Sequence, residues 1–512
     1  MGAEWQGRTQ EMSIVQRVGA PRRLCFLAGL LLALGSTTGA GLAQTDPGPP
    51  SAIQKFVDAA KPGPDRYGKK VTVLVGSLPT GQTVQWLSPA IKKIFDIDVE
   101  VVRVPIGQLS QAIINDVTTG GNYDVLLFPP RMLGDLVADG HLVNLDAYAK
   151  KWDPQLNDVF PAYRELYNYL NGGLYTLTMD GDRLELYYRA DLFDNAAEKA
   201  AFKAKYNYDL APPKTWQEYL DVAAFFTRPA GATLAGDTLA QPFFGMSEFT
   251  RAPDVADWWL NRFAAFGGTY FDENFKPALN TEAGVKATEN LKASLAFGPT
   301  GILNFGYPES YDAFIQGRTA MVIQWSDVAK GAENPQASKI VGKVGYAQVP
   351  GAAIGGGAIR HRSVLAYSRV FGISAKSKVP EAAYRVIQFL HSPEVSNLYV
   401  TGFGGIDAFR LSHYADPANW VAQWPKLPAY IANTKASIEN GYPELTIPGA
   451  VRYQEALGQQ IARALAGETS VKDALAETER QWNIITDELD PKLQAGFWQD
   501  QIKVWKRIGL AP

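Results

Sequence analysis

Cysteine is nearly missing from this chain: there is one among 512 residues. That excludes a disulfide scaffold and any cysteine-based zinc or iron–sulfur centre. Histidine is also scarce. His141, His361, His391 and His413 are scattered without metal-ligand spacing, so neither a metal nor another cofactor is expected. No charge sign dominates. The 49 basic and 52 acidic residues give a net charge of −3, which leaves no basic footprint for nucleic acid. No apolar run approaches the roughly 20 residues that span a bilayer. Internal repeats and low-complexity tracts are missing, and Gly355-Gly356-Gly357 lacks the Lys-Ser/Thr that would follow in a phosphate loop. What remains is a composition of 46% hydrophobic and 12% aromatic residues. That is ordinary for a globular protein, on a chain long enough for two or three domains.

The first 43 residues read as an export signal. Arg22-Arg23 precede the apolar run Leu24 to Leu34, and small residues follow from Gly35 to Ala43. Positive, apolar, then small is the secretory pattern, with cleavage expected after Ala43. An uncleaved anchor is the alternative, and the arginine pair leaves twin-arginine export open. Losing residues 1–43 removes four basic and two acidic side chains, leaving 45 against 50. It also removes Cys25, so the exported chain would be cysteine-free, as suits an oxidising compartment.

Residues 44–67 carry loop signals around one short helical stretch and form an N-terminal extension. Strand and helix patterns then alternate. Val71 to Val75 reads as a strand. Val84, Leu87, Ile91 and Ile94 mark one helix face. Val99 to Val104 is a second strand, and Leu109, Ile113 and Val117 a second helix. Val125 to Phe128 is a third strand, closed by Pro129-Pro130. This alternation implies an α/β fold with a mostly parallel sheet flanked by helices. Ligands of such sheets bind beyond the carboxyl ends of the strands. Residues 191–330 are mostly helical and aromatic, with a capping-box start at Thr215–Glu218. Met321 to Trp325 and Phe371 to Ser374 return to strand, and the chain closes with helices.

Six segments, in order, resemble the extracellular solute-binding proteins of ABC importers, the sugar-binding family typified by maltose-binding protein. They are Gly121 to Leu145, Gly173 to Phe193, Pro213 to Leu220, Gly317 to Trp325, Phe371 to Glu394 and Gly467 to Leu475. The resemblance implies a two-lobed periplasmic-binding fold with ligand in the interlobe cleft. It places lobe 1 at 68–178 and 352–405, and lobe 2 at 183–346 and 411–512. Hinges are expected near 179–183, 346–351 and 404–410. It further implies a monomer that hands its solute to an inner-membrane permease, with no catalysis.

A sugar or polyol offers hydroxyls at its edge and C–H patches on its faces. Carboxylates accept the hydroxyls, and aromatic rings cover the patches. Asp180-Gly181-Asp182 sits at the expected first hinge, and Asp182 matches a sugar-binding glutamate of the family. Phe128 and Trp325 match stacking positions, with Asp327 just beyond Trp325, and a buried core role for Phe128 stays equally open. Of Trp258-Trp259, neighbours on a helix point apart, so one should face the core and one the cleft. Tyr453 matches a further aromatic position. Arg131 stands where the family often has an acid, which points to a different hydroxyl pattern, an anionic group on the solute or merely a solvated helix start. Tyr187-Tyr188 reads as strand core.

Two alternatives stay open at this point. One is a binder of a non-sugar, anionic solute. The other is a secreted glycoside hydrolase using Asp180 and Asp182, although two acids on one short turn do not flank a bond from opposite sides.

Overall fold

Apolar, β-branched runs become strands close to where the sequence places them. The computed structural model describes residues 48–402 and 405–510. The expected signal at 1–43, and Gly404 at the start of the third hinge, lie outside those residues. In chain order the organising strands are β1 (Lys69–Gly76), β2 (Ile97–Val104), β3 (Val125–Phe128), β4 (Thr176–Asp180), β5 (Leu184–Arg189) and β6 (Phe244–Ser247). They continue with β7 (Thr319–Trp325), β8 (Val344–Ala347), β9 (Ser363–Leu365), β10 (Arg369–Ile373) and β11 (Gly441–Pro443).

The two largest sheets among the described residues organise the fold, and β9 and β11 form a separate pair. The first has five strands in the order β2-β1-β3-β10-β4, and the second has four in the order β6-β7-β5-β8. β1 runs parallel to β2 and β3, whereas β10 opposes both β3 and β4. β6 and β7 are parallel, and β5 opposes β7 and β8. Each sheet is therefore co-directional but for one strand. The helix Pro79–Phe95 shows how a lobe is held together. Proline starts it, Lys92 and Lys93 complement its carboxyl end, and Asp96 caps it in the left-handed region. Val84, Leu87 and Ile91 on its inner face are fully buried, and each such side chain contributes about 1.5–3 kcal/mol. The helix Trp216–Phe226 begins with the expected capping box of Thr215 and Glu218.

The chain passes between the two sheets or the helices packed on them at three places. β4 ends at Asp180 in the first sheet and β5 begins at Leu184 in the second, so the first crossover is Gly181–Arg183. Residues 352–365, expected from sequence with lobe 1, make bonds beside the second sheet. Arg360 Nε donates to the Ala265 carbonyl at 2.8 Å, Val364 N–H donates to Asn261 Oδ1 at 2.9 Å, and Ser363 Oγ donates to the Leu184 carbonyl. The chain then re-enters the first sheet through Ala366–Ser368 at β10. The third passage runs through Ile406–Arg410, where Phe160 N–H donates to the Phe409 carbonyl (3.0 Å). Beyond it, the helix Leu427–Glu439 packs on β5 and β8.

The described part of the N-terminal extension and the closing helix are both packed. Ile53 and Val57 of the helix Ser51–Ala59 are buried, and Phe56 meets Phe389 of lobe 1. The closing helix Pro491–Arg507 buries Phe497, Trp498 and Trp505, the two tryptophans against Tyr270. Among the described residues no helix is long and apolar enough to cross a membrane.

Gly134, on the short helix Leu133–Ala138 of lobe 1, touches the loop that follows β11. A β-carbon there would lie 2.3 Å from the Ile447 carbonyl carbon and 2.5 Å from Pro448 N. Backbone cannot rotate away as a side-chain end can. Gly134→Ala should therefore cost about 1–3 kcal/mol, read as a lower urea midpoint. An unchanged midpoint would show that this approach is looser than described.

Candidate functional site

The carboxyl ends of β3, β4 and β7 converge where the lobes face each other. Trp325 pairs with Leu184, Asp180 with Arg369, and Phe128 with Val370. At the centre is the turn Asp180-Gly181-Asp182. Its glycine is required by close approach, because a β-carbon would sit 2.8 Å from the Ala408 carbonyl of the third crossover. The Gly181 carbonyl accepts from the Tyr163 hydroxyl (2.8 Å) and from Arg183 (2.9 Å), and Gly181 N–H donates to the Asp407 carbonyl (3.2 Å). Arg183 is in turn held by Glu185 at 2.8 Å and Thr434 at 3.1 Å. The first and third crossovers are thus bonded to each other.

These two crossovers gather acid. Carboxylate oxygens of Asp180, Asp182 and Asp407 lie within 4.8 Å of one another. Asp180 Oδ1 accepts the Asp407 N–H at 2.6 Å. Lys330 Nζ stands 3.6 Å from Asp407 Oδ1 but donates to the Ile406 and Val400 carbonyls. Arg369 donates to the Tyr367 and Ser368 carbonyls. Burial and the neighbouring Asp407 push the Asp180 carboxyl up to about 8. Burial, Asp180 and Asp407 raise Asp182 well above the usual range. The trio could hold a cation by geometry, although Lys330 and Arg369 already place positive charge beside it.

Beside a fourth acid, Asp327, stands an aromatic wall. The Trp325 ring lies 5.1 Å from Trp258, 5.5 Å from Tyr307 and 5.1 Å from Tyr367 between centroids. The Tyr307 hydroxyl donates to Asp327 Oδ2 at 2.5 Å, and burial and Asp407 push Asp327 up to about 7. Several buried polar atoms here have no hydrogen-bond partner among the described residues: Trp325 Nε1, Ser326 Oγ, Asp327 Oδ1, both Asp407 oxygens and Arg369 Nε. Buried polar groups are nearly always satisfied, so a concentration of exceptions marks a place where something else bonds.

Of the residues singled out from sequence, Asp180, Asp182, Trp325, Asp327 and Trp258 meet at this seam. Trp258 donates its Nε1–H to the Ile323 carbonyl at 2.7 Å, while Trp259 points away, stacks on Phe263 at 4.5 Å and donates to Thr288. Phe128 is fully buried, with its ring over Gly372. Tyr453 lies among the closing helices, bonded to Thr486 Oγ1 at 2.7 Å and packed on Trp482. Arg131 is buried between two acids, with Nε 2.6 Å from Glu444 and an amino group 3.2 Å from Asp257. Tyr187 is fully buried, and both it and Tyr188 lie on β5.

Sequence reasoning missed Asp407, Lys330, Arg369, Tyr307 and Tyr367. Asp407 lies inside the segment flagged as the third hinge, and Lys330 is one helical turn past Asp327, so both had a signal. Tyr307 opens an ordinary helix and had none. A cavity of about 300 Å³ lies elsewhere, between Glu165, Tyr169 and Asn171 and the closing helix at Asp500, Lys503 and Arg507.

The acids imply a pH dependence. A carboxyl raised in the fold binds its proton more tightly there than in the unfolded chain. Its contribution is full below the unfolded value of 3.8 and is lost as pH rises through about 8 for Asp180. Buried His391 and His413, lowered by burial and by Arg410, act oppositely, but their contribution is complete above the ordinary 6.5. Stability should therefore fall between about pH 6.5 and pH 8.5, and Asp180→Asn should reduce that slope. Urea midpoints across the window check this, and a midpoint that rises would contradict it.

The profile of bacterial extracellular solute-binding proteins matches residues 79–396. A probable amino-acid ABC transporter periplasmic-binding protein of Sinorhizobium fredii is 27% identical over 433 residues, covering 83% of this chain and 89% of the relative. A solute-binding protein of Agrobacterium radiobacter in complex with ribitol superposes with a TM-score of 0.68 at 24% identity, covering 82% of this chain and 98% of its own. One from Agrobacterium vitis with bound D-mannitol gives 0.66 at 23%, covering 83% and 99%. These structures share the two-lobed fold described above. With the profile spanning well over half of its length, the chain belongs to the family of bacterial extracellular solute-binding proteins.

Proposed function

We propose that this chain captures an uncharged, hydroxyl-rich solute, a polyol or sugar, and delivers it unchanged to an ABC permease. The observation that carries the reading is the set of unpartnered donors and acceptors on Trp325, Ser326, Asp327, Arg369 and Asp407, in a site that combines aromatic rings with an excess of carboxyls. Hydroxyls both donate and accept, so one polyol can serve carboxylates, protonated carboxyls and an indole N–H together. The ring of Trp325 would cover its C–H face. Solute favours the shut arrangement because only there do both lobes reach it.

An anionic solute fits poorly. Arg131 already faces two carboxylates, Lys330 serves main-chain carbonyls, and four acids surround the seam. The name of the Sinorhizobium relative favours an amino acid, whose carboxylate would have to rely on Arg369 Nε. Hydrolysis is disfavoured because Asp180 and Asp182 share one turn. Export to the periplasm through the 1–43 signal, and action as a monomer, complete the reading.

A thermal-shift screen tests it with ribitol, D-mannitol, maltose, a set of amino acids and inorganic anions. A ligand at one hundred times its Kd stabilises the folded chain by about 2.7 kcal/mol. A raised melting temperature with polyols or sugars is expected. A rise with amino acids or anions alone, or turnover of a glycoside, would overturn the proposal.

A further inference from the structure

Arg131 reaches from one lobe into the other. It stands three residues past β3 of lobe 1, while Asp257 lies on the helix Val255–Ala265 and Glu444 just past β11, both in lobe 2. We propose that Arg131 is a cross-lobe latch, a positioning residue that favours the shut arrangement and holds Tyr367 against Trp325. The inference rests on the capture function proposed above.

The contacts form a closed net. Arg131 Nε lies 2.6 Å from Glu444 Oε2 and its amino group 3.2 Å from Asp257 Oδ2, with the arginine side chain 9% exposed. Neither acid is held by arginine alone. Glu444 Oε1 accepts Tyr367 N–H at 3.0 Å, and Gln454 Nε2 donates to Asp257 Oδ2 at 2.9 Å. The guanidinium carbon sits 4.5 Å from the centre of the Tyr367 ring, which meets Trp325 edge-on at 5.1 Å. Tyr367 has φ +71°, a left-handed conformation that a residue with a β-carbon adopts only when its surroundings impose it. Here Glu444 fixes its N–H and Arg131 its ring. Separation of the lobes would break both ion pairs and release the tyrosine that completes the wall behind Trp325. A planar fork can bond two carboxylates at once, whereas lysine offers a point charge.

Nitroxide labels at Gln85→Cys on lobe 1 and Ala204→Cys on lobe 2, both exposed, in the full chain with Cys25→Ser, report the lobe separation by pulsed electron resonance. Without solute, Arg131→Gln should raise the ratio of long to short distances at least tenfold, and Arg131→Lys should fall between it and the parent. Ribitol should restore the short distance in Arg131→Gln, but at about tenfold higher concentration than in the parent. If Arg131→Gln does not fold, Arg131→Met with Asp257→Asn and Glu444→Gln removes all three charges together, and the same shift is expected. An unchanged solute-free distribution in the variant that folds overturns the latch. A parent chain that binds no polyol or sugar overturns the capture reading instead, and leaves the solute-free comparison to decide the latch.

Discussion

Trp325→Ala should weaken solute binding by at least about thirtyfold, equivalent to about 2 kcal/mol, the scale of a buried aromatic anchor. The ring is the centre of the wall, within 5.5 Å of Trp258, Tyr307 and Tyr367 between centroids, and its Nε1 has no partner among the described residues. Truncation removes the stacking face and an indole donor together. Trp325→Phe should recover part of the loss, because it restores a face without the N–H. Trp259→Ala is the contrast. That ring stacks on Phe263 and bonds Thr288 away from the seam. Its loss should cost about 3–5 kcal/mol of stability with far less effect on affinity in the folded chain. Titration calorimetry with the solute giving the largest thermal shift reads both. A Trp325→Ala affinity within threefold of the parent would remove Trp325 from the site.

Glu248→Ala should destabilise the chain by about 3–5 kcal/mol, the usual result of leaving one member of a buried ion pair alone. Glu248 takes both amino groups of Arg262, at 2.8 and 3.0 Å, and the Tyr219 hydroxyl at 2.7 Å. Both partners are fully buried, and the guanidinium carbon lies 4.1 Å from the centre of the Trp216 ring. Alanine leaves a cation that burial keeps from water. Replacing both partners with apolar residues of similar volume should cost much less. Urea unfolding of the single and paired variants distinguishes these outcomes. A single variant losing under about 1 kcal/mol would mean that water reaches Arg262.

Much of the fold is legible because the pattern is local. Val71 to Val75, Val125 to Phe128 and the face Ala383, Val386, Ile387 and Leu390 are apolar at strand or helix period, and all are buried or nearly so. Residues 352–365 were harder. Their place beside lobe 2 depends on the β9–β11 pairing, which joins Ser363 to Gly441 across 78 residues, and no short-range pattern carries that. The site divides in the same way. Asp180-Gly181-Asp182 and Trp325 lie at strand ends, which the sequence marks. Tyr367 matters because a distant element, Glu444 and its loop, is folded onto it. Arg131 is the clearest case. As a sequence feature it suggests an anionic solute, but in the fold its charge is met by two carboxylates distant in sequence, Asp257 and Glu444.

Crystallography of the chain with the polyol or sugar that stabilises it most tests the central claim directly. Density for one intact solute is expected between the Trp325 ring and the carboxyls of Asp182, Asp327 and Asp407. Density only in the cavity beside Glu165 and Arg507, or cleaved solute at the seam, would contradict it.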